Sequence, residues 1–239
     1  VEAGAAASVI RGTNSSDVLK GTAAGEILFG LAGNDTLDPG GGRDLAQGMA
    51  GNDSYVFSKG YGHDTLFDNY SEWDGAESSF AGVDKRYHAG NDTLIMRDLS
   101  REQVVMRLSG DDLEIGIKEE GKAFSGLSDV LTIKNWRNPN NRIETIRFTD
   151  GDITAQNLTG SLTFGDEGQN FTWTESAADL NLGSGNDTIT TGNYGDTVIT
   201  GSGANKVFTS GGNDSIHVSA GASGSIVQGG AGNDSYSYG

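Results

Sequence analysis

The sequence contains no cysteine and only 2 prolines among its 239 residues. Without cysteine, the chain forms no disulfides or thiolate metal sites and has no cysteine nucleophile. Basic residues are also few: 16 Lys and Arg accompany 33 Asp and Glu, which gives a formal net charge of −17. This charge would repel nucleic acids and anionic membrane surfaces. No apolar run approaches the roughly 18 residues of a membrane-spanning helix, so we expect no nucleic-acid partner and no membrane span.

Glycine, in contrast, is abundant, and its 38 residues are more than twice the usual share of roughly 7 %. The glycines accompany a repeat in which an apolar residue returns at every ninth position. One series contains Ile10, Leu19, Leu28, Leu37, Ala46 and Tyr55. A second series contains Ile153, Leu162, Phe171, Leu180, Ile189, Val198, Val207 and Ile216. A fixed period of this kind predicts a repeat architecture.

Acidic residues keep the same period, two positions before the apolar residue. These positions hold Asp17, Glu26, Asp35, Asp44 and Asp53 in the first series, and Asp187, Asp196, Asn205 and Asp214 in the second. The segments around them are GLAGNDTLD from Gly30, GMAGNDSYV from Gly48 and GGAGNDSYS from Gly229. Glycine permits the positive φ angles of tight turns. Each repeat therefore predicts a turn that ends in an acid, then a short strand whose central side chain points inward.

These segments resemble the nonapeptide of the RTX family, G-G-x-G-x-D-x-U-x with U apolar, which forms a calcium-binding parallel β-helix. The resemblance is strong over residues 10–67, clear over 180–237 and weaker over 151–179. It implies an all-β fold, a parallel β-roll in which two nonapeptides make one coil and the coils stack. We expect two such arrays, separated by a β-rich insert.

Stacked coils would place each acid beside the acid 18 residues later, and Ca²⁺, which takes six to eight oxygen ligands, would relieve their repulsion. The expected pairs are Asp17 with Asp35, Glu26 with Asp44, Asp35 with Asp53, Asp187 with Asn205, and Asp196 with Asp214. Two further pairs, at a spacing of 20 residues, are Asp44 with Asp64 and Asp214 with Asp234. Gln169 and Ala178 occupy acid positions, so the coils at 153–180 should be poor in metal.

The candidate calcium ligands combine these acids with the turn residues that precede them, through side chains or backbone carbonyls. They are Asp17, Glu26, Gly30, Ala32, Asn34, Asp35, Asp44, Gly48, Ala50, Asn52, Asp53, Asp64, Asp92, Asp187, Asp196, Asn205, Asp214, Gly229, Ala231, Asn233 and Asp234. Asp92 is a separate case, because its turn has no regular neighbour in the repeat. It is either an isolated ligand or a remnant of a repeat.

The period is lost between the arrays. There, Val104–Leu108 and Leu113–Ile117 flank a Gly-Asp-Asp turn that predicts a hairpin, and 130–136 and 143–148 read as further strands. Ser100 and Gln103 stand at capping-box spacing. The order of motifs over 61–152 resembles the β-rich segment that follows nonapeptide blocks in haemolysin-type proteins, which implies a flanking or capping role. Several acids of 68–89 could be ligands, although no spacing supports them: Asp68, Glu72, Asp74, Glu77 and Asp84.

Catalytic motifs are missing from the sequence. It has no G-x-S-x-G, no H-E-x-x-H and no phosphate-binding loop. Glycosidase carboxylates flank a substrate cleft, and one of them has its pKa raised by an apolar setting, whereas these acids lie in glycine-rich turns at a ligand period. We therefore expect no catalytic residue and no enzyme in this sequence.

The patterns divide the chain into a first array at 1–67, an insert at 68–150 and a second array at 151–239. Because the sequence starts at Val1 and ends after a repeat turn, we expect a piece of a longer protein. Family resemblance implies a secreted or cell-surface bacterial protein of toxin or adhesin type, whose partner is a type I secretion system and whose arrays fold on extracellular calcium. Two alternatives are an adhesin module whose insert binds a host-cell or polysaccharide ligand, and an accessory domain of a secreted polysaccharide-modifying or hydrolytic enzyme.

Overall fold

The computed structural model of the protein describes residues 8–68, 90–109, 111–136, 138, 141–154, 162–163, 168, 170–174 and 177–239. The chain separates into two compact units. The first unit consists of Val1–Val104, Ser109–Ile117 and Ser128–Ala155. The second consists of Val105–Leu108, Lys118–Leu127 and Gln156–Gly239.

Two mainly parallel sheets form the first unit, with strands numbered in chain order. Along one sheet lie β1 (Ser8–Arg11), β3 (Glu26–Ala32), β5 (Leu45–Ala50), β7 (His63–Leu66), β11 (Val130–Ile133) and β10 (Asp112–Ile117). Along the other lie β2 (Val18–Lys20), β4 (Thr36–Asp38), β6 (Ser54–Phe57), β8 (Thr93–Met96), β12 (Thr145–Phe148) and β13 (Gly151–Thr154). The residues of β9 (Val104–Ser109) divide between the two units. Successive nonapeptides thus alternate between the two sheets, as expected for a roll.

The register of the strands follows the nine-residue period. Leu28 lies opposite Ile10 and Ala46 in one sheet, and Leu37 lies opposite Leu19 and Tyr55 in the other. Side chains of one face stack directly because the strands are parallel and differ by whole coils. Leu28 and Leu37 are fully buried, so the apolar residue of each repeat forms the interior.

The insert continues both sheets of the first unit. Strand β8 pairs in parallel with β6, which sets Leu94 opposite Tyr55, and β11 pairs in parallel with β7. Each sheet then gains an antiparallel strand, because β10 pairs with β11 and β13 with β12. The predicted strands at 130–136 and 143–148 therefore lie in different sheets. Between β8 and β9 lies the 3₁₀ turn Arg101–Gln103, which has the predicted capping box of Ser100 and Gln103.

The second unit also has two parallel sheets. One sheet contains β14 (Leu162–Thr163), β16 (Asp179–Asn181), β18 (Thr197–Ile199), β20 (Ser215–Val218) and β22 (Ser235–Tyr238). The other contains β15 (Asn170–Trp173), β17 (Thr188–Thr191), β19 (Lys206–Phe208) and β21 (Ile226–Gln228). Ile153 keeps the nine-residue spacing in sequence, but its strand, β13, belongs to the first unit. The ladder of the second array thus begins at Leu162, opposite Leu180.

The all-β parallel roll predicted from the repeats is confirmed. The described ranges include two short 3₁₀ turns, Arg101–Gln103 and Phe124–Gly126. No helix in that part of the chain has the length and apolarity needed to cross a membrane. The division of the chain into three segments, with boundaries at 67 and 150, remains a prediction.

We expect Leu37→Ala to lower the free energy of unfolding by about 2–5 kcal/mol, because it leaves a cavity in a fully packed ladder. Leu37 is fully buried, whereas Val18 on the neighbouring strand is 66 % exposed. Val18→Ala, the matched control, should change stability by about 0.5 kcal/mol or less. Urea unfolding at saturating calcium measures both variants. Equal losses would show that the interior of the roll does not lie at the apolar repeat position.

Candidate metal centres

The acids of the first array form a ladder between coils. One carboxylate oxygen of each acid accepts a hydrogen bond from the backbone N–H of the acid one coil earlier. The donor–acceptor distances are 2.8 Å from Asp17 N to Asp35 Oδ1, 2.6 Å from Glu26 N to Asp44 Oδ1, 2.8 Å from Asp35 N to Asp53 Oδ1, and 3.0 Å from Asp44 N to Asp64 Oδ1. The structure therefore brings the predicted pairs together, including the pair spaced by 20 residues.

The other carboxylate oxygen is buried without a hydrogen-bond partner. This holds for Oδ2 of Asp35, Asp44, Asp53 and Asp64 among the described residues. All four residues are 1–3 % exposed. A buried charged oxygen without a partner costs several kcal/mol, so these turns require a compensating cation or a proton.

Where a turn of the first array starts with glycine, as at Gly12 and Gly30, the position of the missing side chain lies beside the acid of that turn. A Cβ on Gly12 would lie 2.6 Å from Gly30 O and 2.9 Å from Asp17 Oδ2. At Gly30, the same position is faced by Gly48 O at 2.7 Å and, more closely, by Asp35 Oδ2. A carboxylate of one turn and a carbonyl of the next coil thus converge where a side chain is missing.

Burial changes the ionisation of these acids. It raises the pKa of Asp53 to about 7 and the pKa of Asp64 to about 8, and backbone hydrogen bonds from Asp35 and Asp44 oppose the change only in part. Burial also raises the pKa of Asp35 and of Asp44. The charged form is therefore disfavoured until a cation compensates it.

The donor set fits calcium. Every group that converges on these positions is an oxygen, either carboxylate or carbonyl, and Ca²⁺ accepts both in a flexible shell of six to eight ligands. In the first array, the acids from Asp35 to Asp64 would hold the ions together with carbonyls such as Gly48 O. The first two acids differ, because Asp17 accepts hydrogen bonds from Thr13 N at 2.6 Å and Thr13 Oγ1 at 2.8 Å. Glu26 accepts in the same way from Thr22.

The second array has the same ladder with different partners for the second oxygen. Asp196 Oδ1 accepts from Ala178 N at 2.7 Å, and Asp214 Oδ1 accepts from Asp196 N at 2.8 Å. In the turns that end at Asp196 and Asp214, threonine stands in place of the starting glycine. Thr191 Oγ1 donates to Asp196 Oδ2, and Thr209 Oγ1 lies 2.5 Å from Asp214 Oδ2 and 3.1 Å from Gly229 O. The threonine hydroxyl thus lies between a carboxylate oxygen and a carbonyl oxygen. In the first array, the equivalent position beside glycine holds no side chain.

Asn205 replaces the acid and the cation together. Its Oδ1 accepts from Asp187 N at 2.9 Å, as an aspartate would. Its Nδ2 lies 2.8 Å from Thr200 O and 3.4 Å from Ser202 O, two carbonyls of its own turn. The next coil offers Ser225 Oγ to Asn205 N instead of a carboxylate. This turn is therefore satisfied by protein donors.

The remaining predicted ligands lie in the turns. Asn34 and Asn52 form a side-chain ladder of their own, in which Asn34 Oδ1 accepts from Asn52 N at 2.9 Å. In the second array, Asn233 N donates to Asn213 Oδ1 at 2.9 Å, and Asp234 Oδ1 accepts from Asp214 N at 3.2 Å. Carbonyls of Ala50 and Ala231 accept N–H groups of the preceding coil, and Ala32 N donates to Thr13 O. The ligand roles of all these residues remain predictions.

Asp92 takes the next place in the ladder of the first array, because its Oδ1 accepts from Asp53 N at 2.7 Å. Glu144 Oε2 in turn accepts from Asp92 N at 2.6 Å. Sequence reasoning missed Glu144, and it gave Asp68 no partner, although Asp68 lies beside Asp53 and Asp92. No fixed spacing could find either residue, since the segment that separates them from the repeat has no period. The acids Glu72, Asp74, Glu77 and Asp84 lie outside the described residues.

Calcium-free protein should lose stability as pH rises from about 4 to about 8. Asp53 and Asp64 have pKa values of about 7 and about 8 in the fold against an ordinary value of 3.8. The folded chain thus holds more protons than the unfolded chain in this range, and the free energy of unfolding falls with pH. Thermal melting of protein stripped on a chelating resin should show a lower midpoint at pH 8 than at pH 5.

Added calcium should reduce this difference and release protons at pH 7. Removing two of the responsible carboxyls, in Asp53→Asn with Asp64→Asn, should flatten the pH dependence, whereas Asp179→Asn on the exposed face of β16 should not. A calcium-free midpoint that is constant or increases with pH would contradict the assignment.

Two family models match the sequence. The model of the RTX calcium-binding nonapeptide repeat matches residues 2–37, 11–46, 181–216 and 190–224. The model of the haemolysin-type calcium binding protein related domain matches residues 112–153. Together the matches cover more than half of the chain and fall on both arrays and on the insert. No curated protein matches the sequence significantly.

Among solved structures, 11 chains match. One is the crystal structure of the extracellular lipase LipA from Serratia marcescens, with 15 % identity and a TM-score of 0.28. The match covers 91 % of this chain and 31 % of the lipase chain, so this chain spans about a third of that protein's length. From the repeats, the roll and the two family models, the chain belongs to the RTX family of haemolysin-type calcium-binding repeat proteins, and it is a calcium-binding module.

Proposed function

We propose that this module makes the folding of an exported bacterial protein of toxin or adhesin type depend on calcium. The protein would leave the cell unfolded through a type I secretion system and fold outside. RTX repeats typify secreted bacterial proteins. Extracellular calcium modules bind at about 10⁻⁴ to 10⁻³ M, and such sites would be empty at cytosolic calcium levels.

The observation that supports this proposal is the set of buried carboxylate oxygens without partners in the first array. Without calcium, each such turn must either bury a charge or keep a proton at a pH where an exposed aspartate is ionised. Both options cost stability. Because the oxygens of a site come from different coils, the unfolded chain has no preformed site, and the free energy of binding becomes free energy of folding.

We also propose that the module itself has no catalytic role. The buried acids Asp35, Asp44, Asp53 and Asp64 each accept, with one oxygen, a hydrogen bond from the backbone of the neighbouring coil. Carboxyls used in this way hold the roll together. The activity of the exported protein would therefore reside in other parts of it.

Far-UV circular dichroism during a calcium titration tests the proposed function. We expect a cooperative gain of β signal near millimolar calcium and a much smaller gain with magnesium, which binds poorly to flexible all-protein cages. A parallel titration of Asp35→Asn with Asp53→Asn should require several-fold more calcium, because two carboxylates lose their charge. A spectrum that is fully folded in chelator, and unchanged by calcium, would contradict the proposal.

The two arrays should differ in calcium dependence, because threonine and asparagine already supply donors in the turns of Asp196, Asn205 and Asp214. In the variant Thr191→Gly with Thr209→Gly, Asp196 and Asp214 lose their hydroxyl donors, and the turns regain the glycine of the first array. We expect a lower melting temperature without calcium and a larger calcium-induced increase than in the unchanged protein.

Thr197→Gly provides the matched control, since this threonine lies exposed on β18. It should lower the melting temperature modestly and leave the calcium-induced increase unchanged. If both variants gave the same calcium response, the hydroxyls would not be substitutes for the cation.

A further inference from the structure

Three buried carboxylates from different parts of the first unit converge beside the last repeat turn of the first array. One oxygen from each of Asp53, Asp68 and Asp92 lies within 4.8 Å of the others. The three residues are 1 %, 5 % and 3 % exposed, respectively. Only Asp53 belongs to the regular repeat: Asp68 follows β7, and Asp92 precedes β8.

We infer that Asp53, Asp68 and Asp92 form a calcium site of non-repeat composition, which binds the two ends of the segment between Asp68 and Asp92 to the roll. The inference rests on the proposed function, because it assumes that the neighbouring repeat turns also bind calcium. It adds a site whose third carboxylate comes from outside the nonapeptide pattern.

The first argument is the state of Asp53. Its Oδ2 is buried and has no hydrogen-bond partner among the described residues, although its Oδ1 accepts from Asp35 N. A Cβ placed on Gly48 would meet Asp53 Oδ2 and Tyr55 OH before any other atom. The unpartnered oxygen and the hydroxyl that holds Asp68 thus both face the position of the missing side chain at Gly48.

The second argument is the way in which Asp68 is held. Tyr55 OH accepts a hydrogen bond from Gly48 N at 2.8 Å and donates to Asp68 Oδ1 at 2.5 Å. At the repeat sites of Gly12 and Gly30, the corresponding position is faced by a carbonyl of the next coil. Here a tyrosine and a carboxylate replace that carbonyl, which makes the site richer in charge than a repeat site.

The third argument is charge. Three carboxylates in a dry cluster repel one another, and Glu144 adds to this repulsion through its contact with Asp92 N. Within the described part of the chain, no lysine or arginine makes an ion pair with these three acids. A divalent cation with oxygen preference is the ligand that matches this set, and calcium tolerates its irregular geometry.

A site of this kind explains how the ladder continues across the insertion. Tyr55 lies opposite Leu94 although 39 residues separate them, and Asp53 N donates to Asp92 Oδ1 across the same gap. A metal that joins both ends of a long connection removes part of the entropy of the open chain. The ion would thereby fix the register at which β8 joins β6.

The test counts calcium ions by native mass spectrometry and by equilibrium dialysis with calcium chloride alone. Asp68→Asn keeps the shape of the side chain and its hydrogen bond to Tyr55 but removes the charge. We expect it to bind one ion fewer than the unchanged protein, or to bind one ion at least tenfold more weakly. Circular dichroism at saturating calcium should show that the roll remains folded.

Tyr55→Phe gives a second measurement that does not depend on removing an acid. It should weaken the binding of one calcium ion severalfold, because Asp68 loses the hydrogen bond from Tyr55 that positions it. Tyr236→Phe is the matched control: Tyr236 OH accepts from Gly229 N at 2.7 Å in the equivalent turn, and no carboxylate of the described residues forms a metal cluster there as Asp68 does. It should leave the number and affinity of the ions unchanged.

The outcomes separate the two proposals. If the unchanged protein bound no calcium, the proposed function itself would fail. If it bound calcium, and both Asp68→Asn and Tyr55→Phe kept every ion at full affinity, only the non-repeat site would be overturned. The three acids would then be a cluster that shares protons, and Asp68→Asn should raise the stability of the calcium-free protein.

Discussion

The roll depends on one hydrogen bond, in which a carboxylate at the end of a turn accepts the backbone N–H of the acid one coil earlier. The bond recurs from Asp17 and Asp35 to Asp196 and Asp214. It fixes the spacing of the acids at whole coils and buries the carboxylate between two turns. Once one oxygen is fixed in this way, the other lies in the dry interior of the turn stack. The identity of the group that meets this second oxygen then decides how each coil is stabilised.

The chain meets that oxygen in two ways. In the first array, the turn begins with a residue such as Gly48, and the space beside Asp53 Oδ2 suits a cation. In the second, Thr209 provides a hydroxyl at the same place, and Asn205 provides an amide. The threonine hydroxyl is part of the chain, whereas a cation must be bound from solution. The stabilisation that the cation gives therefore depends on its free concentration. Coils of the second type therefore need less calcium for their stability.

The sequence predicts most of this fold because the nine-residue period is itself the geometry of the coil. The stacking of Leu28 on Ala46 and of Leu37 on Tyr55 follows from spacing alone. The pairing of Tyr55 with Leu94 across the insert does not follow from spacing, because inserts of many lengths could bring these two strands together. The neighbours of Asp68 cannot be predicted from spacing either, because tertiary contacts bring them together. The replacement of glycine by threonine at Thr191 is visible in the sequence. Only the structure shows that the threonine hydroxyl donates to Asp196 Oδ2.

The insert also shows how a parallel roll can stop. A parallel strand leaves an edge on which another coil can pair, and such edges invite association with other chains. In the first unit, β13 pairs antiparallel with β12 and is the last strand of its sheet. The reversed direction changes the hydrogen-bond spacing of the edge, so the next nonapeptide no longer finds the register that its carboxylate ladder needs. A segment without the period thus ends the repeat by geometry, while Glu144 occupies the position that the next aspartate would take against Asp92 N.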